Sequence, residues 1–243
     1  MEMRLNKYIA HCGLASRRKA DLLILSGFIA INDQSITELG YKVQKNDKVT
    51  FRGKLLKPQK KLLYILLNKP KDCITTTQDE KGRKTVMDYV KRFKDERIYP
   101  IGRLDRNTTG LLLLTNDGEF AQKLSHPSQN IAKIYTVHLH KPLTKNDFDS
   151  ISKGIILEDG KAEIDEIHYY DIDKSLVSVQ IHSGKNRIVR RVFEHLGYTV
   201  LKLDRVIYAE LTKKNLPRGK WRELEFFELE KLKKISASER IKK

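Results

Sequence analysis

The chain has 243 residues, enough for one large domain or for a small and a medium one, each with its own hydrophobic core. Its 48 Lys/Arg against 31 Asp/Glu give a net charge of +17, and twelve of the basic residues lie in the first 60, so we expect a polyanionic partner. Apolar runs such as Leu111–Leu114 are too short for a membrane-spanning helix, and we expect a cytoplasmic protein that does not bind membranes.

Residues 1–60 are predicted to form a small domain that begins with two helices. Ser16 is a suitable N-cap for a helix from Arg17 to Ser26, and Gly27 marks its end. Short strands are predicted after Gly27, at 28–31 and 48–51.

Residues 61–232 are predicted to form a second, larger domain of the α+β class. Apolar segments at 63–67, 133–140 and 177–181 have strand patterns, and helices are predicted at 85–93, 119–124, after Thr144, and at 188–196. Strands mixed irregularly with helices favour a mixed, largely antiparallel sheet flanked by helices. Residues 233–243 are basic and poor in apolar side chains, which predicts a disordered tail.

The start of the second predicted helix is unusually basic. Arg17, Arg18 and Lys19 occupy its first turn, where cations oppose the helix dipole. Together with Arg4 and Lys7 they form a set of donors suited to RNA phosphates, although a merely solvated basic face has the same composition.

These residues also carry a resemblance. The segments 4–9 and 13–20 resemble the alpha-L RNA-binding module that also occurs in a small-subunit ribosomal protein. This resemblance implies RNA binding without any chemistry.

A second motif spans residues 102–118 and centres on Asp105. Its carboxylate lies between Arg103 and Arg106 on a loop that leads into an apolar strand. The spacing alone fits a surface ion pair as well as a catalytic group. The complete string closely resembles the catalytic-aspartate motif of pseudouridine synthases of the RsuA type, whose members modify ribosomal RNA, and the resemblance implies that Asp105 is the essential aspartate.

Two later segments resemble the same family in the same order. Residues 133–135 match its Lys-x-Tyr strand motif, and 184–193 followed by 203–206 match its third motif. The resemblance implies that Tyr135 holds the uracil and relays its C5 proton, that Arg190 orients Asp105, and that Leu203 packs against the ring. On its own, Tyr135 would be an ordinary strand aromatic. Two departures from the family pattern are Ile188, where glutamine is usual, and Ala209, where glycine is usual.

The implied reaction accounts for these residue types. Pseudouridine formation breaks the N1–C1′ bond, turns the base and joins C5 to C1′. Because product and substrate are isomers, no cofactor is required, while a carboxylate is needed to attack covalently or to remove a proton. The nucleotide must first leave the RNA stack, and Arg103, Arg106, Lys185 and Arg187 are candidates for the phosphate contacts that offset this cost.

The sequence therefore predicts a monomeric enzyme that acts on ribosomal RNA of the large subunit, or on a ribosome assembly intermediate. A transfer-RNA pseudouridine synthase and a non-catalytic RNA-binding or ribosome-binding factor remain as alternatives. A metal-dependent nuclease would need several converging carboxylates, and only Asp105 lies in a matching motif. Cys12 and Cys73 lack the spacing of a metal site, so no metal is expected.

Overall fold

The computed structural model describes residues 2–59 and 61–235. They divide into two compact units. The first contains the described residues up to Leu62 together with Arg92–Ile98, and the second contains Leu63–Lys91 and the described residues from Tyr99 onward. In the part of the chain that is described, no helix combines the length and the apolar character needed to cross a membrane.

The first unit consists of two helices and two small sheets around a common apolar core. The strands form one sheet of order β3-β2-β5-β6 and a separate pair, β1 with β4. The elements are β1 (Met3–Arg4), α1 (Leu5–His11), α2 (Arg17–Leu25), β2 (Ile29–Ile31), β3 (Gln34–Ser35), β4 (Lys42–Val43), β5 (Val49–Phe51) and β6 (Lys54–Leu55).

Helix α2 begins where the sequence predicts. The Ser16 hydroxyl accepts a hydrogen bond from the backbone N–H of Lys19, as expected of an N-cap residue. Ala20 and Ile24 point into the core, so the opposite side leaves Arg17, Arg18 and Lys19 exposed.

The second unit is built on one nine-stranded sheet. The main strand order is β13-β14-β10-β15-β9-β7-β17, with β16 added to β15 and β8 added to β9. The strands of the sheet are β7 (Tyr64–Lys69), β8 (Tyr99–Pro100), β9 (Thr108–Thr115), β10 (Lys133–Leu139), β13 (Glu166–Tyr169), β14 (Leu176–Ile181), β15 (Val200–Tyr208), β16 (Leu211–Thr212) and β17 (Trp221–Glu223). A separate pair is formed by β11 (Ile155–Leu157) and β12 (Gly160–Ala162). The helices are α3 (Gly118–Ser125), α4 (Lys145–Lys153), α5 (Ile188–His195) and α6 (Phe226–Ile235).

This architecture confirms the predicted α+β class with a mixed, largely antiparallel sheet. Within the described residues of this sheet, the pairing of β9 with β15 is parallel and the other strand pairs are antiparallel. The alternating burial of β10 and β14 shows that each strand turns one set of side chains into the core.

Two local predictions are wrong. The helix predicted at 85–93 is a pair of 3₁₀ turns, Val86–Tyr89 and Lys91–Phe93, the first capped by the side chains of Thr85 and Asp88. The tail predicted to begin at 233 continues α6 as far as Ile235, because Leu232 anchors that helix in the core. The rest of the predicted tail lies outside the described residues.

The parallel contact between β9 and β15 depends on Gly110. This residue has a φ of +111°, and a Cβ atom added there would lie 2.2 Å from the carbonyl oxygen of Arg205. A side chain at position 110 would therefore force the two strands apart. Glycine is required here both for its conformation and for the close approach of the backbones.

Asp204 reinforces the same junction. Its carboxylate accepts hydrogen bonds from the Thr109 hydroxyl at 2.8 Å and from Arg218 at 2.9 and 3.1 Å, and it also pairs with Lys213. These donors hold the pKa of Asp204 at about 2 although burial opposes ionisation. The carboxylate thus ties β9, β15 and the segment after β16 together.

We predict that Gly110→Ala destabilises the protein by roughly 3 kcal/mol or more, because it adds overpacking to an unfavourable backbone conformation. Denaturant unfolding of the full chain measures this loss. Gly82→Ala is the matched control, since Gly82 has a φ of +65° but no heavy atom within 4 Å of an added Cβ, and it should cost only about 1 kcal/mol. Equal losses in the two variants would refute the steric argument.

Candidate active site

A cavity of about 450 Å³ opens in the second unit, beside the β9/β15 junction. Its walls come from the loop before β9, the end of α3, strands β10 and β15, and the segment that leads into α5. Asp105 is the one carboxylate among the described residues that line it. Five cationic side chains line it as well: Arg103, Lys133, Lys185, Arg187 and Arg205.

The loop that carries Asp105 is fixed from beneath by a buried lysine. Lys69 has no exposed surface, and its ammonium contacts the carbonyl oxygens of Thr108 at 2.8 Å and Asp105 at 3.0 Å. It also contacts the carbonyl oxygens of Pro70 and Arg106. Burial lowers the pKa of Lys69 to about 8. The backbone at Asp105 and directly after it is thereby held in place, while the Asp105 side chain remains 37 % exposed at the cavity.

The ion-pair partner of Asp105 differs from the expected one. The sequence predicts Arg190, but the Arg187 guanidinium lies 3.6 Å from the Asp105 carboxylate and also pairs with Glu194 at 3.1 Å. Arg187 is the N-cap of α5 and has a left-handed conformation, with a φ of +46°, so it lies just outside the regular helix.

Arg190 lies on the buried face of α5. Its Nη1 donates a hydrogen bond to the carbonyl oxygen of Val200 at 2.9 Å, and its Nε has no hydrogen-bond partner among the described residues. Burial lowers the pKa of Arg190, the Arg187 charge lowers it further, and Asp105 acts in the opposite direction. Arg190 therefore interacts electrostatically with Asp105 without forming the predicted ion pair.

Tyr135 and Leu203 both line the cavity. They lie on the adjacent strands β10 and β15, are 7 % and 5 % exposed, and are brought side by side by a register that pairs Tyr135 with Arg205 and Val137 with Leu203. The structure thus brings the predicted aspartate, tyrosine and leucine together in one cavity.

The predicted RNA-binding cations fall into three sets. Arg103, Lys185 and Arg187 line the cavity, although Lys185 also donates to the backbone oxygens of Asp159 and Lys161. Arg106 does not line it and pairs with Asp72 at 3.3 Å. Arg4, Lys7, Arg17, Arg18 and Lys19 lie in the first unit.

Sequence reasoning missed the roles of three cations of this region, the buried Lys69 and Arg205 and the half-buried Lys133. Lys133 lines the cavity, donates to the carbonyl oxygens of Ile131 and His182, and has a pKa lowered to about 8 by burial and by the charge of Arg205. Arg205 and Lys69 are the other two. All three lie in predicted or observed strands, and only their removal from solvent, which is complete for Lys69 and partial for Lys133, distinguishes them from surface cations.

The two departures from the family pattern have separate consequences. Ile188 is buried and adds an apolar side chain to the cavity wall. Ala209 has a φ of +53°, and its N–H donates to the carbonyl oxygen of Ala132 at 2.8 Å. An L-residue is strained in this conformation, which explains why glycine would suit the position.

Comparison with known proteins agrees with this geometry. The RNA pseudouridylate synthase family matches residues 63–195, and the S4 domain matches residues 3–49. The ribosomal large subunit pseudouridine synthase B of Bacillus subtilis is 44 % identical over 96 % of this chain and 96 % of its own length. An uncharacterized RNA pseudouridine synthase of Aquifex aeolicus is 40 % identical over 96 % of this chain and 94 % of its own length.

The fold leads to the same group of proteins. A crystal structure of a pseudouridylate synthase superimposes with a TM-score of 0.67 and 28 % identity, and the match covers 95 % of this chain and 99 % of that one. The chain therefore belongs to the RNA pseudouridylate synthase family, as an enzyme with an N-terminal S4 domain.

Proposed function

We propose that this enzyme converts a uridine of large-subunit ribosomal RNA to pseudouridine, with Asp105 as its catalytic carboxylate. The observation that carries the proposal is the position of Asp105, a single carboxylate among five cations on the described wall of the cavity. The choice of RNA is supported by the Bacillus subtilis relative, which is a ribosomal large subunit pseudouridine synthase.

Asp105 acts at the sugar or the base of a nucleotide that has left the RNA stack. Its carboxylate either forms a covalent bond there or removes a proton, which are the two roles that carboxylates take at glycosidic centres. Both roles need an ionised and accurately placed oxygen. The Lys69 contacts to the loop backbone provide the placement, and the Arg187 guanidinium lies 3.6 Å from the carboxylate, where it helps to orient it.

The released uracil turns between Tyr135 and Leu203. Both side chains are almost completely buried at the cavity wall, so they offer a flat aromatic and an aliphatic surface to the base. The phenol of Tyr135 relays the proton that C5 loses. Arg190, which is buried on α5, contributes a positive charge that interacts with Asp105, and its hydrogen bond to the carbonyl oxygen of Val200 ties α5 to β15.

Arginine and lysine side chains around the cavity compensate for extrusion of the nucleotide, which costs a few kcal/mol. Arg103, Lys185 and Arg187 line the cavity, and exposed Arg106 lies on the same loop as Asp105. The S4 domain supplies further phosphate contacts through Arg4, Lys7, Arg17, Arg18 and Lys19. We propose that the enzyme works as a monomer in the cytoplasm, on ribosomal RNA or on a ribosome assembly intermediate.

We predict that Asp105→Asn abolishes tritium release from RNA labelled at C5 of uridine, lowering the rate by at least about 10³-fold, because the amide can neither attack nor accept a proton. Asp72→Asn is the control. Asp72 also pairs with an arginine, at 3.3 Å, but does not line the cavity. Release that persists in Asp105→Asn would overturn the assignment.

The same assay identifies the RNA. Labelled ribosomal and transfer RNA from a strain that lacks the gene are offered separately, and the modified position is mapped. We expect release from large-subunit ribosomal RNA. Release from transfer RNA alone would replace the proposed substrate, and no release from either RNA would favour a binding factor.

We predict that Arg187→Gln lowers the single-turnover rate roughly 10-fold at saturating RNA, because it removes a charge beside Asp105. Since the Arg187 side chain is 42 % exposed, the free energy of unfolding should change by less than about 1 kcal/mol. Arg191→Gln is the control on the same helix, because Arg191 pairs with Asp159 and does not line the cavity. An unchanged rate in Arg187→Gln would show that the ion pair has no part in the reaction.

We predict that replacing Arg17, Arg18 and Lys19 with glutamine weakens RNA binding and reduces the slope of log K against log salt concentration by up to about three, since each phosphate contact adds roughly one. The comparison is a full-length variant with glutamine at the exposed lysines Lys123, Lys145 and Lys153 of the second unit. If both triple variants bind alike, α2 does not form the RNA surface.

A further inference from the structure

Arg205 is a buried cation of the cavity for which the proposed steps provide no role. It lies on β15, lines the cavity and is only 3 % exposed. None of the described acidic side chains forms an ion pair with it. A buried charge without a carboxylate is costly, and a hydrophobic residue of similar size would serve stability at least as well.

Two contacts hold the guanidinium in one orientation. Its Nε donates to the carbonyl oxygen of Leu111 at 2.7 Å, and its central carbon lies 4.9 Å from the centre of the Tyr208 ring. The first contact follows from the close approach at Gly110. The parallel pairing ends at Gly110 and Arg205, and the next carbonyl of β9 is then free to accept from the arginine side chain.

The third contact leads to the reacting groups. Arg205 Nη1 lies 3.5 Å from the hydroxyl oxygen of Tyr135. This distance is long for a hydrogen bond. Hydrogen bonds between catalytic groups are often long in an enzyme without substrate and shorten when the substrate binds. Because a guanidinium can only donate, the Tyr135 oxygen must accept here, and the hydroxyl proton is left to point elsewhere.

We infer that Arg205 is a positioning residue for the isomerisation, and that it acts through Tyr135. This inference rests on the proposed function. The guanidinium holds the phenol oxygen so that the O–H faces the cavity, and it stabilises negative charge on that oxygen. The phenol gives its proton to the uracil ring, and the same oxygen then takes the proton that C5 releases. The phenol is restored at the end of each turnover.

The surroundings of Arg205 support an electrostatic role. Its Nη2 is buried without a hydrogen-bond partner in the described part of the chain, and a second, half-buried cation, Lys133, is close enough for the Arg205 charge to lower its pKa. An unpaired buried donor and two neighbouring cations reduce stability. Arrangements of this kind concentrate at functional sites, where they stabilise charge that develops during the reaction.

A double-mutant cycle tests the inference. Single-turnover tritium release at saturating RNA is measured for the natural enzyme, Arg205→Gln, Tyr135→Phe and the double variant. We expect Arg205→Gln to lower the rate 10- to 100-fold in the natural background, but less than about 2-fold when the phenol is absent. RNA affinity should be unchanged, and Arg205→Lys should recover part of the rate. If Arg205→Gln lowered the rate equally with and without the Tyr135 phenol, Arg205 would have only a structural role.

Thr109→Val is the matched structural control. It removes another side-chain hydrogen bond at the β9/β15 junction, from Thr109 to Asp204, without contacting Tyr135. Its effect on the rate should be the same with and without the phenol. If Thr109→Val also lowered the rate only when the phenol is present, the coupling would belong to the junction as a whole. That result would overturn the inference.

A second measurement does not depend on catalysis. In protein labelled with ¹³C at Cζ of tyrosine, the Tyr135 resonance is identified by its absence from Tyr135→Phe. We expect the chemical shift of this resonance to change in Arg205→Gln and to be unchanged in Thr109→Val. A resonance that stays in place in folded Arg205→Gln would overturn the inference. If no RNA yields tritium, the proposed function fails, while this spectrum still decides whether Arg205 acts on Tyr135.

Discussion

The active site depends on the close approach of β9 and β15, which only a glycine at position 110 permits. The approach places the loop before β9, with Asp105, beside the strand that carries Leu203 and Arg205. It also ends the parallel pairing at the point where the Arg205 side chain takes over as hydrogen-bond donor to β9. Strand β10, on the other side of β15, adds Tyr135. Three strands from separate parts of the sequence therefore meet at one cavity, and the approach of two of them, β9 and β15, depends on the absence of a single Cβ atom.

Charge is distributed unevenly around this cavity. The half-buried Lys133 and the buried Arg205 donate hydrogen bonds to backbone carbonyl oxygens rather than to carboxylates. Asp105 therefore remains available to a substrate, apart from a long contact to a partly exposed arginine. An RNA substrate brings its own negative charge to the site, so a cationic wall both attracts the backbone and offsets the cost of desolvating it.

Much of this organisation can be predicted from the sequence, because local signals determine it. Ser16 and Thr144 are N-caps in the structure as predicted, and the apolar patterns locate the strands. Contacts between residues that lie far apart in the sequence are harder to predict. The capping residue Thr85 begins only a 3₁₀ turn. Asp105 pairs with Arg187 rather than with Arg190, because Arg187 takes a left-handed conformation at the start of α5. The burial of Lys69 and Arg205 follows from strand order, which no local pattern encodes.

Lys69 illustrates a further property of the enzyme. Its ammonium contacts four carbonyl oxygens of the catalytic loop and its surroundings, much as a coordinated potassium or sodium ion would. Unlike such an ion, it cannot dissociate, because it is covalently attached to β7. Below a pH of about 8, the catalytic loop therefore carries a covalently attached internal cation. This cation does not exchange with the salts that control how tightly the enzyme binds RNA.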